Sequence, residues 1–149
     1  MAKRLAKEWK QLEEGDEDRF FAESKNNDLE WIMRLMIDDD AETEAKTVYA
    51  GLCCVVKLTF PSDYPFKAPT VLFDPPIYHP GIKQDTGQVC VDLFKDWGPT
   101  RNVAWIMSVL HNMFMIPEGE LEPDILNQKN NEPEAFKARV KAQIAELMD

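Results

Sequence analysis

Pro61, Pro65, Pro69, Pro75, Pro76 and Pro80 punctuate one stretch of the chain and exclude both a continuous helix and a central strand across it. Each proline fixes its own φ, removes a backbone donor and biases the preceding residue toward extended geometry. The stretch therefore reads as shaped loop around one short strand, Thr70 to Phe73. It closes in Tyr78-His79-Pro80-Gly81-Ile82, and Gly87-Gln88-Val89-Cys90 follows shortly after. Gly81 and Gly87 permit dihedrals that other residues resist, so a single cysteine sits in a rigid segment. In Val89-Cys90-Val91-Asp92-Leu93 the apolar residues alternate with Cys90 and Asp92. That alternation predicts a face shared by thiol and carboxylate, with the thiol open to solvent.

The flanks supply the regular structure. Leu5, Trp9 and Leu12 recur at helical spacing between Lys3 and Glu14 while Lys3, Lys7 and Lys10 fall on another face, which predicts an amphipathic helix ended by Gly15. Phe20 to Ser24 and Leu29 to Ile37 read as strands joined by an Asn26-Asn27-Asp28 turn, and the acidic Asp38 to Glu44 reads as the next loop. Val48 to Phe60 reads as a third strand and Thr70 to Phe73 as a fourth, together an antiparallel meander. Val103 to about Met115 is nearly all apolar and predicts the central buried helix. Pro133 opens a terminal helix whose Phe136, Val140, Ile144 and Leu147 form an inward stripe. At 149 residues, with no repeat, low-complexity tract or separating linker, residues 1–149 are expected to form one α/β (α+β) domain.

Composition narrows the partners. With 17 basic against 27 acidic residues the net charge is −10, which argues against nucleic acid and anionic membrane. The start of the chain is the exception: Lys3, Arg4, Lys7 and Lys10 against Glu8 leave a local excess of positive charge. Three cysteines, two of them adjacent, make no disulfide framework, and Met-Ala-Lys-Arg carries no apolar signal segment. No apolar run approaches the ~20 residues of a membrane span. A soluble protein of the cytoplasm, the nucleus or both is expected. Cys53 and Cys54 fall mid-strand and aim to opposite faces, so they cannot join His79 and Cys90 around zinc. Neither a metal nor a cofactor is expected.

A thiol suits acyl carriage, because thiolate is a strong nucleophile and a thioester still reacts with amines. A cysteine hydrolase would need a histidine base, and only His79, ahead of a proline, and His111, in the apolar helix, exist. Cys90 therefore reads as a carrier that accepts an activated acyl group, not as an amide-cleaving nucleophile.

Tyr78-His79-Pro80-Gly81-Ile82, the spacer Lys83-Gln84-Asp85-Thr86 and Gly87-Gln88-Val89-Cys90-Val91 resemble the active-site signature of the ubiquitin-conjugating enzymes, with glycine where that motif has asparagine. Upstream, Tyr64-Pro65-Phe66-Lys67-Ala68-Pro69 is similar to the family's Tyr-Pro-Phe-x-x-Pro loop, and downstream Asp96-Trp97-Gly98-Pro99 matches its Trp-x-Pro element. The resemblance spans residues 49 to 125 and implies the ubiquitin-conjugating fold: N-terminal helix, four-stranded meander, central helix and C-terminal helices.

It also implies a function. Cys90 would accept ubiquitin or a ubiquitin-like modifier from an activating enzyme as a thioester and pass it to a substrate lysine, with a ubiquitin ligase of RING or HECT type. Tyr78, His79, Pro80 and Gly81 would form the active-site loop, with His79 structural. Asp92, and Glu120 just ahead of Leu121, are the candidate carboxylates for removing the lysine proton. Arg4 and Lys7 would face the activating enzyme, and Phe66 and Pro99 a ligase. A cis bond is implied before Pro65. Gly81 supplies no polar side chain, so another group compensates, ligase binding restores the loop, or lysine transfer is slow; Asn102 could substitute only if its loop folded over Cys90. The rival from another class is a non-catalytic ubiquitin-binding variant, although such variants lack the cysteine.

Overall fold

Burial alternates along the two middle strands of a four-stranded sheet, placing Trp31, Met33 and Leu35 of β2 (Glu30–Met36) beside Cys54, Val56 and Leu58 of β3 (Cys53–Thr59) on one inner face. The computed structural model describes residues 2–15, 18–38 and 47–148. β1 (Phe20–Asn27) and β4 (Thr70–Phe73) form the edges, and all neighbours pair antiparallel in the order β1-β2-β3-β4. The fold is mixed α/β, with the strands in a simple meander.

Helix α1 (Ala2–Glu14) buries Leu5 and Glu8 and leaves Lys3, Lys7 and Lys10 exposed. Helix α2 (Val103–Met115) follows the sequence reading: Ile106, Met107, Leu110 and Phe114 are fully buried, and Phe114 meets Phe73 edge-on at 5.5 Å. Helix α3 (Pro123–Asn131) and helix α4 (Pro133–Leu147) complete the chain, the latter inserting Phe136, Val140 and Ile144 into the core.

Several boundaries differ from the sequence reading, each for a physical reason. The first hairpin turns at Asp28-Leu29, because β1 runs on through two register shifts to Asn27, whose side chain accepts the Leu29 N–H at 2.8 Å. The apolar run from Val48 begins as a turn, not a strand. Gly51 at φ 88° reverses the chain and sends Tyr49 into the core, so apolar character there reports burial, not extension. Helix α3 has no counterpart of its own in the sequence reading, since Ile125 is the only residue it buries. Residues 39–44 of the acidic segment lie outside the described residues. No helix among the described residues is long and apolar enough to cross a membrane.

Candidate active site

The hairpin that presents Cys90 is fixed at every turn. Phe73, at the end of β4, donates its N–H to the Gly87 carbonyl at 2.9 Å. A Cβ on Gly87, at φ +81°, would fall 2.1 Å from the Phe73 oxygen, so only glycine fits this close approach. The hairpin is closed by Lys83 N–H to Gln88 O at 2.9 Å and Gly87 N–H to Lys83 O at 2.7 Å, with Ile82 bridged to Val89. Inside it, the Gln84 side-chain amide donates through Nε2 to the carbonyls of Ile77 and Ile82 at 2.8 and 3.0 Å.

Cys90 leaves this hairpin in extended geometry (φ −64°, ψ 134°) and caps a 3-10 turn, Val91–Phe94, accepting the Leu93 N–H at 3.0 Å. It is half-buried on the wall of an open groove of about 410 Å³, lined by residues 67–71 together with Gln88, Val89, Phe94 and Trp97. The strand geometry behind the predicted shared face with Asp92 is absent here: the 3-10 turn begins directly after Cys90. Asp92 is exposed in its first turn, and Glu120 is exposed in the loop between α2 and α3. Neither lines the groove. Neither of the other two thiols lines this groove. Cys54 is walled into the core, where burial pushes its thiol up beyond any useful range, and Cys53 is half-buried on the opposite face of β3.

His79 is fully buried. Its Nδ1 accepts the Gly81 N–H at 2.8 Å, which leaves the ring proton on Nε2, donated to the Met113 carbonyl at 2.7 Å. Burial pushes its pKa down to about 4, with the Met113 carbonyl opposing and Lys129 adding to the shift. A neutral ring with both nitrogens occupied is no proton acceptor for Cys90. Beside it, the Tyr78 carbonyl takes the Tyr49 hydroxyl, and Pro80 and Gly81 are buried under the α2–α3 loop. Asn102 accepts the Trp105 N–H at 2.9 Å as the N-cap of α2 and faces α1 residues, so its side chain is not over Cys90.

A second surface joins α1 to the two loops carrying Phe66 and Pro99. Phe66 is 73% exposed. Its loop begins at a cis Tyr64-Pro65 bond, as the motif implied; a second cis bond precedes Pro75. Trp97 ties the loops together through Nε1–H to the Pro65 carbonyl at 2.8 Å. Arg4 donates to the carbonyls of Pro99, at 2.8 Å, and Arg101, pairs with Glu8 at 3.1 Å and lies 5.6 Å above the Tyr64 ring. Its guanidinium is thus spent inside the molecule, whereas Lys7 is free on the exposed face and Pro99 keeps its ring exposed. The sequence reading missed Glu8 beneath them. This buried carboxylate accepts the Tyr64 hydroxyl at 2.6 Å and the Val103 N–H at 2.8 Å; a glutamate at the inward spacing of Leu5, Trp9 and Leu12 was the available cue.

The family model for ubiquitin-conjugating enzyme matches residues 4–144. The chain belongs to the ubiquitin-conjugating enzyme family. It is 33% identical over 120 residues to ubiquitin conjugating enzyme E2 B of Dictyostelium discoideum, covering 74% of this chain and 81% of that protein. It is 38% identical over 73 residues to ubiquitin-conjugating enzyme E2 1 of Schizosaccharomyces pombe, covering 48% of this chain but only 34% of the longer relative. Among solved structures, the E2 domain of a Toxoplasma gondii ubiquitin conjugating enzyme superposes with a TM-score of 0.82 at 20% identity, covering 97% of this chain and 96% of that one. That likeness establishes the ubiquitin-conjugating fold. Membership in this family of transferases implies ubiquitin, an activating enzyme and a ligase as partners in general terms.

Proposed function

We propose that this ubiquitin-conjugating enzyme carries ubiquitin or a ubiquitin-like modifier as a thioester on Cys90 and transfers it to a substrate lysine or a ligase. The observation that carries the reading is the contrast within the active segment: Cys90 lines an open groove, while His79 is buried, neutral and spent on main chain. A hydrolase needs that histidine as base; a carrier does not.

In loading, Cys90 Sγ gives up its proton and attacks the carbonyl carbon of the modifier's C-terminal thioester on the activating enzyme. The activating enzyme's thiolate leaves, so one thioester replaces another. In discharge, a neutral lysine Nζ attacks the same carbon and the Cys90 thiolate departs, leaving an amide. The chain's part is to position the thioester and accept the lysine proton, for which Asp92 and Glu120 are exposed carboxylates near the ends of the active segment. Lys7 serves the activating enzyme, while Phe66 and Pro99 serve a RING or HECT ligase on the face that Arg4 holds together.

The test mixes activating enzyme, ATP and labelled ubiquitin with wild type, Cys90→Ser and Cys90→Ala. Wild type gives an adduct cleaved by reductant, Cys90→Ser one that resists reductant, and Cys90→Ala none. A reductant-sensitive adduct on Cys90→Ala would overturn the reading.

A further inference from the structure

Above Gly81 the protein places main chain where another residue would place a side chain. Gly119, at φ +153°, lies so close that a Cβ on it would sit 2.5 Å from the Gly81 Cα and 2.6 Å from its nitrogen. Reciprocally, a Cβ on Gly81 would meet the Glu118 carbonyl oxygen at 3.1 Å and the His79 ring at 3.2 Å. The two backbones touch with nothing between them. Three residues on, Glu122 reaches back twice: its N–H donates to the Pro80 carbonyl at 3.0 Å, and its Oε1 accepts the Gln84 N–H at 2.9 Å. Gln84 sits in the turn of the hairpin whose returning arm, Gln88-Val89, runs into Cys90. Glu122 is itself rooted in α3, where its carbonyl accepts the N–H groups of Ile125 and Leu126, both at 3.1 Å.

We propose that Glu122 is a positioning residue for acyl transfer: the 116–122 loop, seated on Gly81 through Gly119, holds the Pro80-Gly81 turn and the Cys90 hairpin as one unit. The inference rests on the carrier role of Cys90. It makes Gly81 a seat for the loop and not a vacancy awaiting a polar side chain. A side chain at 81 would crowd the Glu118 carbonyl and the His79 ring, and the stretch of loop that must give way on the Glu118 side is the one that leads into Glu122.

Discharge of preloaded thioester to free lysine at saturating lysine, loading by the activating enzyme, thermal unfolding, and hydrogen exchange at the Gln84 amide are measured on Glu122→Leu, Glu122→Gln and Gly81→Asn. Glu122→Leu loads and stays folded, but discharges about 10- to 100-fold more slowly, the scale expected when a reacting group is misplaced by about an ångström. Its Gln84 amide exchanges faster. Glu122→Gln keeps an acceptor oxygen and returns both readouts close to wild type. Gly81→Asn behaves like Glu122→Leu. Faster discharge by Gly81→Asn, a wild-type discharge rate in Glu122→Leu, or no rescue by Glu122→Gln overturns the proposal. Should wild type itself fail to load, the carrier reading falls, while unchanged Gln84 exchange in Glu122→Leu would separately overturn the latch.

Discussion

At His79 both ring nitrogens are engaged with main chain, one accepting and one donating, so protonation would break the bond from Gly81 in a buried site. Burial holds the ring's pKa well below its ordinary 6.5, at about 4, whereas an unfolded chain protonates near the ordinary value. With the folded pKa depressed, this contribution to stability is fully present above pH 6.5. It is lost as pH falls from there toward 4, amounting to roughly 3 kcal/mol over the window. The expected outcome is an NMR signal from the His79 ring that stays at its neutral position from pH 8 to pH 5; a midpoint near 6.5 would contradict the buried geometry. At this scale the sequence was informative about type and silent about partners. His-Pro marked a fixed turn, and Cys90 stood out from Cys53 and Cys54 by its neighbours. The bonds from His79 to Met113 and from Gln84 to Glu122 join residues far apart in the chain, which no local pattern encodes.

Between elements, Glu8 is the joint. One carboxylate links α1 to the Tyr64 loop through the hydroxyl and to α2 through the first N–H of that helix, where the helix dipole also favours an anion. Burial, with Glu8 beside it, raises the Tyr64 hydroxyl's pKa and keeps it a donor. Glu8→Leu strands two buried donors, each costing about 1–3 kcal/mol, so a loss of about 2–6 kcal/mol in urea unfolding is expected. Glu8→Gln, which retains an acceptor, should lose less; equal losses would show that packing, not hydrogen bonding, sets the cost. Helices α1 and α4 were legible from the spacing of their inward residues, α2 from an apolar run long enough for a buried helix, and β4 from a short apolar run set between prolines. Helix α3 buries Ile125 alone and so has no stripe to read, and the Val48–Gly51 turn is apolar because Tyr49 fills the core.

For the whole molecule, the −10 net charge leaves the exposed lysines of α1 as a basic patch on an acidic body. Such a patch steers encounter with an acidic partner and weakens as salt rises. Loading of Lys7→Glu should be several-fold slower than wild type at low ionic strength and converge with it at high salt; a deficit that ignores salt would assign Lys7 a different role. The fold class was readable from the order of elements and motifs. The proposed carrier role rests on Cys90, the thiol that lines the open groove. Peptide mass mapping after loading with activating enzyme, ATP and ubiquitin tests that claim most directly. Ubiquitin's C-terminus bonded to Cys90 through sulfur, and lost on reduction, is the predicted result; modification of Cys53, or of no cysteine at all, would contradict it.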